Sequence, residues 1–560
     1  MTGTLSRRPS RRFWGWGAMN DGLSETELAS VDRLLQGLGD VGPALAEPQL
    51  GDYDLHPSRG SVPTALAHVV SNSPYDRLTH CYGKSFADVA RMWMRHVPNA
   101  PDWVAFPQDE GQIAELFEWA GRHNIAVIPF GGGTSVVGGV EAAVGDGYAA
   151  TLSLDLEHFD CVLELDRSSR AARIGAGMLG PGLETALRPH GLTLRHFPQS
   201  FQFSTVGGWI ATRAGGHYAT QGTHIDDFVQ SIRMLTPAGP VETRRLPASG
   251  AGPAPDRLLI GSEGTLGIIT EAWLRLQARP TFRAGVSVRF ATMKQAVSCV
   301  KALSQSGLQP SNCRLLDARE VAFAGVGDRR SPTLVLGFES ADHGLGAWIE
   351  RALELAADHG GQWSREELDA SMRPRQSATA GRGASGDWRS AFIRMPYWRD
   401  ETTRRGAILD TFESAVIWAG FDEFYEGVRL DVADAIERIT GRRSELSCRF
   451  THVYPDGVAP YFTFLAQGDS QGDIASALSR WREIKQACNA AVVRYGGTST
   501  HHHAVGRDHR SSYEVETPSL FRQALAGAKS VLDPHGILNP GVLFDPAGRT
   551  VGIIGALGST

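Results

Sequence analysis

Cysteine is scarce in this chain, and long apolar runs are missing altogether. The 560 residues include six cysteines, Cys81, Cys161, Cys299, Cys313, Cys448 and Cys488, and no two of them form a C-x-x-C pair. That spacing offers neither a disulfide framework nor a zinc site, and it fits reduced, buried thiols in a cytoplasmic protein. No hydrophobic stretch approaches the length needed to cross a bilayer. The first residues, MTGTLSRRPSRR, are basic but have no apolar segment behind them, so a secretory signal is not expected. The last four, Leu557-Gly558-Ser559-Thr560, do not form the peroxisomal S-K-L address. A strong excess of charge of one sign is also lacking. The net charge is −6 with a pI near 6.3, which argues against nucleic acid as a partner. The local basic segments are compatible with a peripheral contact to a membrane surface.

What is present is an ordinary globular composition, 42% hydrophobic and 21% charged, in a chain long enough for two or more domains. Residues 1–12 read as a flexible basic tail, and Phe13-Trp14-Gly15-Trp16-Gly17 as an aromatic cluster that docks onto the body. Residues 24–95 read as helices and loops. A short strand at Val104–Pro107 is followed by a helix from Asp109 to His123, where Ile113, Leu116, Phe117 and Ala120 form one apolar stripe. Strands are expected at Ala126–Phe130, Ala150–Leu156, Cys161–Leu165, Ala171–Ile174, Leu258–Ile260 and Ile268–Leu276. Beyond Pro280 the texture changes to alternating strands (Val286–Phe290, Leu334–Glu339, Cys448–Val453, Pro460–Leu465) and helices (Lys294–Ser304, Gly344–His359, Asp473–Ala490). Residues 365–390, rich in Gly, Ser and Arg, read as a loop. The organisation expected is a tail and helical region at 1–97, a cofactor domain at 98–279, a cap domain at 280–498 and a C-terminal segment at 499–560 that returns toward the cofactor.

Three glycine-rich segments carry the chemistry. Pro129-Phe130-Gly131-Gly132-Gly133-Thr134-Ser135 follows a buried strand. Glycines there let several backbone N–H groups converge on an anion such as a diphosphate, and the two hydroxyls add donors. Taken alone, the triplet reads equally as a tight strand-ending turn. It has company in Gln199-Ser200-Phe201-Gln202-Phe203-Ser204-Thr205-Val206-Gly207-Gly208, Thr212-Arg213-Ala214-Gly215-Gly216 and Gly261-Ser262-Glu263-Gly264-Thr265-Leu266-Gly267, followed by Ile268 and Ile269. In this order the segments resemble the FAD-binding domain of the vanillyl-alcohol oxidase (PCMH-type) superfamily. The resemblance implies an α+β fold, with a two-subdomain FAD-binding domain and a cap built on an antiparallel sheet flanked by helices. It makes Pro129, Phe130, Gly131, Gly132, Gly133, Thr134, Ser135, Gln199, Ser200, Ser204, Thr205, Gly208, Thr212, Arg213, Ala214, Gly215, Glu263, Gly264, Gly267, Ile268 and Ile269 the expected FAD contacts. The first loop has neither histidine nor cysteine, so FAD is expected to be bound without a covalent link. A decoy, Gly175-Ala176-Gly177-Met178-Leu179-Gly180, fits G-x-G-x-x-G, but no acidic residue follows at the spacing a Rossmann unit requires.

The cap narrows the resemblance to the alkyldihydroxyacetonephosphate synthase family. Cys313-Arg314-Leu315-Leu316-Asp317, Tyr397-Trp398-Arg399-Asp400, Cys448-Arg449, Tyr461-Phe462 and His501-His502-His503 with Val505-Gly506 are similar to that family's segments. The resemblance implies exchange of the acyl chain of acyl-dihydroxyacetone phosphate for a fatty alcohol. It would proceed through a flavin N5 adduct without net oxidation, in a homodimer acting on a lipid-type substrate. An arginine fork suits the substrate phosphate, with Arg399 the first choice and Arg314 and Arg449 either supporting it or holding structural ion pairs. Tyr461 is either a general acid/base or a packed strand aromatic, and His501, His502 and His503 would assist it. Adjacent side chains on an extended segment face opposite ways, so the triplet is not expected to bind a metal. The alternative on the same fold is an FAD-linked D-2-hydroxyacid dehydrogenase. Its H-x-G-D-G-N-x-H motif is only half kept at His452, Asp456 and Gly457.

Overall fold

The computed structural model describes residues 4–8, 11–39, 41–218, 220–324, 328–373, 384–546 and 551, with the side chains of 384–392 left aside. Within the cofactor domain, the strands Trp103–Ala105, Ala150–Asp155 and Ile125–Phe130 pair in parallel, and Val70–Ser71 closes one edge antiparallel. Parallel neighbours need a crossover, and the helix Glu110–His123 supplies it. Asp109 caps its start by accepting from the Gln112 N–H, and Asn124 ends it in the left-handed region at φ +54°. Its predicted stripe is buried, each large side chain contributing about 1.5–3 kcal/mol by leaving water. A second, antiparallel sheet runs Val162–Asp166, Ala171–Gly175, Ile268–Arg275, Val229–Thr236, Gly239–Glu242.

The cap is built on an antiparallel sheet ordered Phe282–Arg289, Thr333–Ser340, Asn312–Leu316, Ser447–Val453, Gly457–Gln467, Ala407–Glu413, with Val416–Ile417 also on Gly457–Gln467. Helices Met293–Gln305, Gly346–Asp358, Phe421–Thr440 and Ile474–Arg494 add their apolar faces to its core. Phe13, Trp14 and the helix Phe86–Trp93 join this cap core, whereas Leu66, Val69, Ile537 and Leu538 join the core of the cofactor domain. Segments remote in sequence therefore complete both halves. The α+β architecture inferred from the glycine motifs and the cap pattern is the one observed.

Three local expectations are overturned. Residues 365–372 and 384–390, read as loop, belong to the helices Arg365–Met372 and Ala384–Thr403, and residues 374–383 lie outside the described residues. Glycine costs a helix interior about 1 kcal/mol relative to alanine and serine less, and tertiary packing overrides that preference. Leu258–Ile260 is not a strand. Pro255 opens a one-turn helix, Pro255–Leu259, using its fixed φ at the first position. The basic tail is not free either. Residues 4–8 and 11–12 lie against the body through Thr4, Ser6, Arg8 and Arg11.

Candidate functional site

A cavity of about 2180 Å³, its open mouth included, runs between the two halves. One wall is the three glycine segments locked against each other. A Cβ on Gly132 would stand 1.9 Å from the Phe203 carbonyl oxygen, and Gly133 has φ +66°, turned under the Phe130 ring. The loop 131–135 therefore presents bare backbone to the cavity, the surface a diphosphate requires. Thr205 accepts from the Gly208 N–H, and Ser204 accepts from the indole of Trp209, which fixes the second segment. Of the expected FAD contacts, all but Arg213 line the cavity. Arg213 is the exception because it ends the helix Val206–Thr212 in the left-handed conformation, which turns its half-exposed side chain outward to Asp226, 2.9 Å away. A long cavity with a glycine-bare anion cradle at one end and hydroxyl donors along its side fits FAD.

The opposite wall comes from the cap. Arg399 reaches it from the helix Ala384–Thr403, makes no ion pair among the described residues, and keeps its Nε–H without a partner. The helix is held by the Trp16 backbone N–H, which donates to the neighbouring Asp400, while Trp16 itself lines the cavity. Arg449 is differently committed. It forms a fully buried ion pair with Glu320 at 2.7 Å, and its guanidinium lies 3.9 Å from the centre of the Tyr461 ring. Arg314 lines the cavity, donates to the His217 carbonyl and contacts its Nδ1 at 3.2 Å; burial, then Arg449, lowers its pKa to about 9.

Tyr461 sits on Gly457–Gln467 directly between Arg449 and Glu413 on the flanking strands. Its hydroxyl is 2.8 Å from Thr411 Oγ1, and burial, only partly offset by Arg449, raises its pKa, so it holds its proton at neutral pH. His502 stacks on this ring at 5.9 Å and His503 meets it edge-on at 5.4 Å. Both imidazoles line the cavity and His501 does not. His501 points the other way. Its Nε2 is 2.8 Å from the Tyr454 hydroxyl, and its Nδ1 is 3.0 Å from that of His502. Residues 501–503 bend instead of running extended, so the adjacent rings of His501 and His502 meet rather than face opposite ways as expected, and His452 packs against both. His452, His501 and His502 bring one ring nitrogen each within 4.8 Å of one another. Burial and the neighbouring imidazoles hold His452 and His501 well below the usual histidine range, so both stay neutral.

The residue that organises this corner was not read from the sequence. Glu413, fully buried, accepts from the backbone N–H groups of His501, His502 and His503 and from the Thr500 hydroxyl, and lies 3.4 Å from His502 Nδ1. Burial opposes its charge, but His502 and the converging donors outweigh it and keep the carboxyl well below its usual range. Glu263 holds the other end of the same segment by accepting from the Val505 and Gly506 N–H groups; burial pushes it up to about 7. Asp410, Thr411 and Lys485 also line the cavity, Lys485 donating to the Thr411 carbonyl at 2.7 Å and lying 3.6 Å from Asp410. Asn539, from the C-terminal segment, donates to the Glu263 and Gly139 carbonyls.

Comparison with known proteins agrees with this geometry. Residues 101–244 match the family described as FAD binding domain, and residues 279–543 match FAD linked oxidases, C-terminal domain. The chain is 30% identical to alkyldihydroxyacetonephosphate synthase of Dictyostelium discoideum over 83% of its own length and 76% of the relative's. It is 26% identical to a mitochondrial D-lactate dehydrogenase (cytochrome) of Arabidopsis thaliana, covering 80% and 74%. Among solved structures, an alkyldihydroxyacetonephosphate synthase shares the fold with a TM-score of 0.75 at 24% identity, covering 94% of this chain and 98% of the other.

Proposed function

This chain belongs to the alkyldihydroxyacetonephosphate synthase family, and from that premise we propose that it exchanges the acyl group of an acyl-dihydroxyacetone phosphate for a long-chain alcohol, with FAD bound and no net oxidation. The reading is carried by one juxtaposition, a glycine-bare dinucleotide cradle facing Arg399 and the Tyr461–His502–His503 cluster across a single cavity. Bound FAD supplies an isoalloxazine ring that serves the substrate carbon next to the carbonyl while its oxygen substituent is exchanged. Everything else falls to side chains of the chain.

Arg399 takes the dianionic phosphate. Of the cavity-lining arginines, Arg449 is neutralised by Glu320 and Arg314 is committed to His217, whereas Arg399 makes no ion pair among the described residues. Tyr461, kept protonated, gives a proton to the departing oxygen, and the imidazole of His503, kept neutral by burial, accepts one from the incoming alcohol. Glu413 fixes the rings of His502 and His503 by gripping their backbone, and His501 serves from outside the cavity as a bracket to Tyr454. Arg449 lies over the Tyr461 ring and steadies it, so its part is to hold the acid/base tyrosine in place.

The test uses FAD-loaded protein under anaerobic conditions. Acyl-dihydroxyacetone phosphate with labelled hexadecanol yields the labelled ether and free fatty acid while the flavin stays oxidised. Bleaching of the flavin by a D-2-hydroxyacid, without ether formation, overturns the reading in favour of a dehydrogenase.

A further inference from the structure

The basic N-terminal segment lies on the far side of the glycine loop from the cavity. Arg8 Nη1 donates to the Gly131 carbonyl at 2.6 Å and Nη2 to the Gly177 carbonyl at 2.8 Å, and Arg11 Nη1 donates to the Gly132 carbonyl at 3.3 Å. Neither side chain lines the cavity. The backbone is fastened at several points. Thr4 donates to Asp76, Ser6 Oγ and the Arg7 N–H both donate to Glu157, and the Arg11 N–H donates to the Tyr75 hydroxyl.

The same two arginines face two buried carboxylates. Asp155 ends the strand Ala150–Asp155, in register with Phe130, and Glu157 follows; they are 1% and 2% exposed. Both acids stand directly behind a loop shaped for an anion, where low polarity lets charges act at full strength. Unneutralised, they would repel a diphosphate seated on that loop. Arg8 lies 3.8 Å from Asp155 and 3.9 Å from Glu157, and His80 Nε2 is 3.0 Å from Asp155. Burial would raise the Asp155 pKa, and Arg8, then His80 and Arg11, more than reverse it.

We propose that residues 4–8 and 11–12 form a strap belonging to the cofactor site, in which Arg8 and Arg11 occupy the carbonyls of the glycine loop and cancel the acids behind it, so that its amide face can take the FAD diphosphate. Arg8 and Arg11 are positioning residues, acting on the cofactor through the loop. The proposal concerns FAD affinity and stands or falls independently of the reaction assigned above.

The experiment titrates flavin-free, full-length protein with FAD and follows quenching of flavin fluorescence. The double variant Arg8→Gln/Arg11→Gln should bind FAD at least ten-fold more weakly. Arg8→Lys, which keeps the charge but cannot reach two carbonyls, should fall between it and the parent. Adding Glu157→Gln to the double variant should recover at least three-fold of the loss, because it removes the repulsion while keeping an acceptor for Ser6 and Arg7. Should the double variant fail to fold, the single variant Arg8→Gln with and without Glu157→Gln gives the same comparison. Affinity within two-fold of the parent overturns the proposal, and so does a loss that Glu157→Gln leaves untouched.

Discussion

Changing Arg399 to lysine retains a positive charge and removes the fork. Two charge-assisted hydrogen bonds to a phosphate become one, a loss of about 1.5–3 kcal/mol, so turnover of Arg399→Lys should drop about 10- to 100-fold while FAD stays bound. Steady-state kinetics beside the flavin absorbance checks both halves, and loss of flavin would contradict the role. Glu413→Gln tests the grip on the histidines. The oxygen that takes the three N–H groups can be kept, but the other becomes an amide donor facing the His501 N–H, which should lower kcat more than it alters KM and cost about 1–3 kcal/mol in denaturant unfolding. The pH dependence follows from the depressed carboxyl. Its contribution is complete above the ordinary carboxylate range near pH 4.5 and is lost as pH falls through the lower folded value, so the variant should lose the parent's steep acid limb. Arg399, Tyr461 and His502 could be picked out in the sequence because their residue types announce phosphate binding and proton transfer. Glu413 could not, since its importance arises only when Ala407–Glu413 pairs with Gly457–Gln467 and sets it against Tyr461. Lys485 and Asp410 were hidden for the same reason, as one is on a helix and the other on a strand that meet only in the folded cap.

At the scale of elements, Glu263 ties the third glycine segment to the turn that follows the histidines. Its folded carboxyl is raised from 4.5 to about 7, so the folded state holds a proton that the unfolded chain releases earlier. The sign is opposite to that of Glu413. Stability linked to Glu263 is complete below about pH 4.5 and is lost as pH rises toward 7, so Glu263→Gln should flatten the decline in melting temperature across that window. Thermal melts of the FAD-loaded protein between pH 5 and 8 measure it. Elements were legible here where burial leaves a pattern: Ile125–Phe130 as a continuous apolar run of a strand buried on both faces, Glu110–His123 by its 3.6-residue stripe. The helix Ala384–Thr403 was not, because Gly386, Ser390 and an internal Pro396 mask it in composition, yet it is the element that delivers Arg399. The turn of helix at Val206–Thr212 was similarly hidden beneath its glycines.

Taken as one molecule, the protein closes a cofactor between halves that share their ends. Trp16 reaches the cavity from the N-terminal side and Asn539 from the C-terminal side. Among the cavity-lining residues of the first glycine loop there is no histidine or cysteine, so heat or acid should release all of the flavin into the supernatant, and flavin remaining with the precipitated protein would reveal a covalent link elsewhere. The general plan was readable because the glycine segments come in a fixed order along the chain. Docking of the aromatic cluster and the return of the C-terminal segment were expected, but the docking of the basic tail was not, because a tail without periodicity carries no signal of where it binds.

The backbone of Val127, one strand turn ahead of the glycine loop, donates to the Ile537 carbonyl and accepts from the Asn539 N–H. On the ribosome, where residues emerge at roughly 5–20 per second, the strand Ile125–Phe130 emerges about 400 residues ahead of its partner at 537–539. Until translation has passed residue 539, the strand that leads into the FAD cradle lacks this pairing, and the cofactor domain stands incomplete.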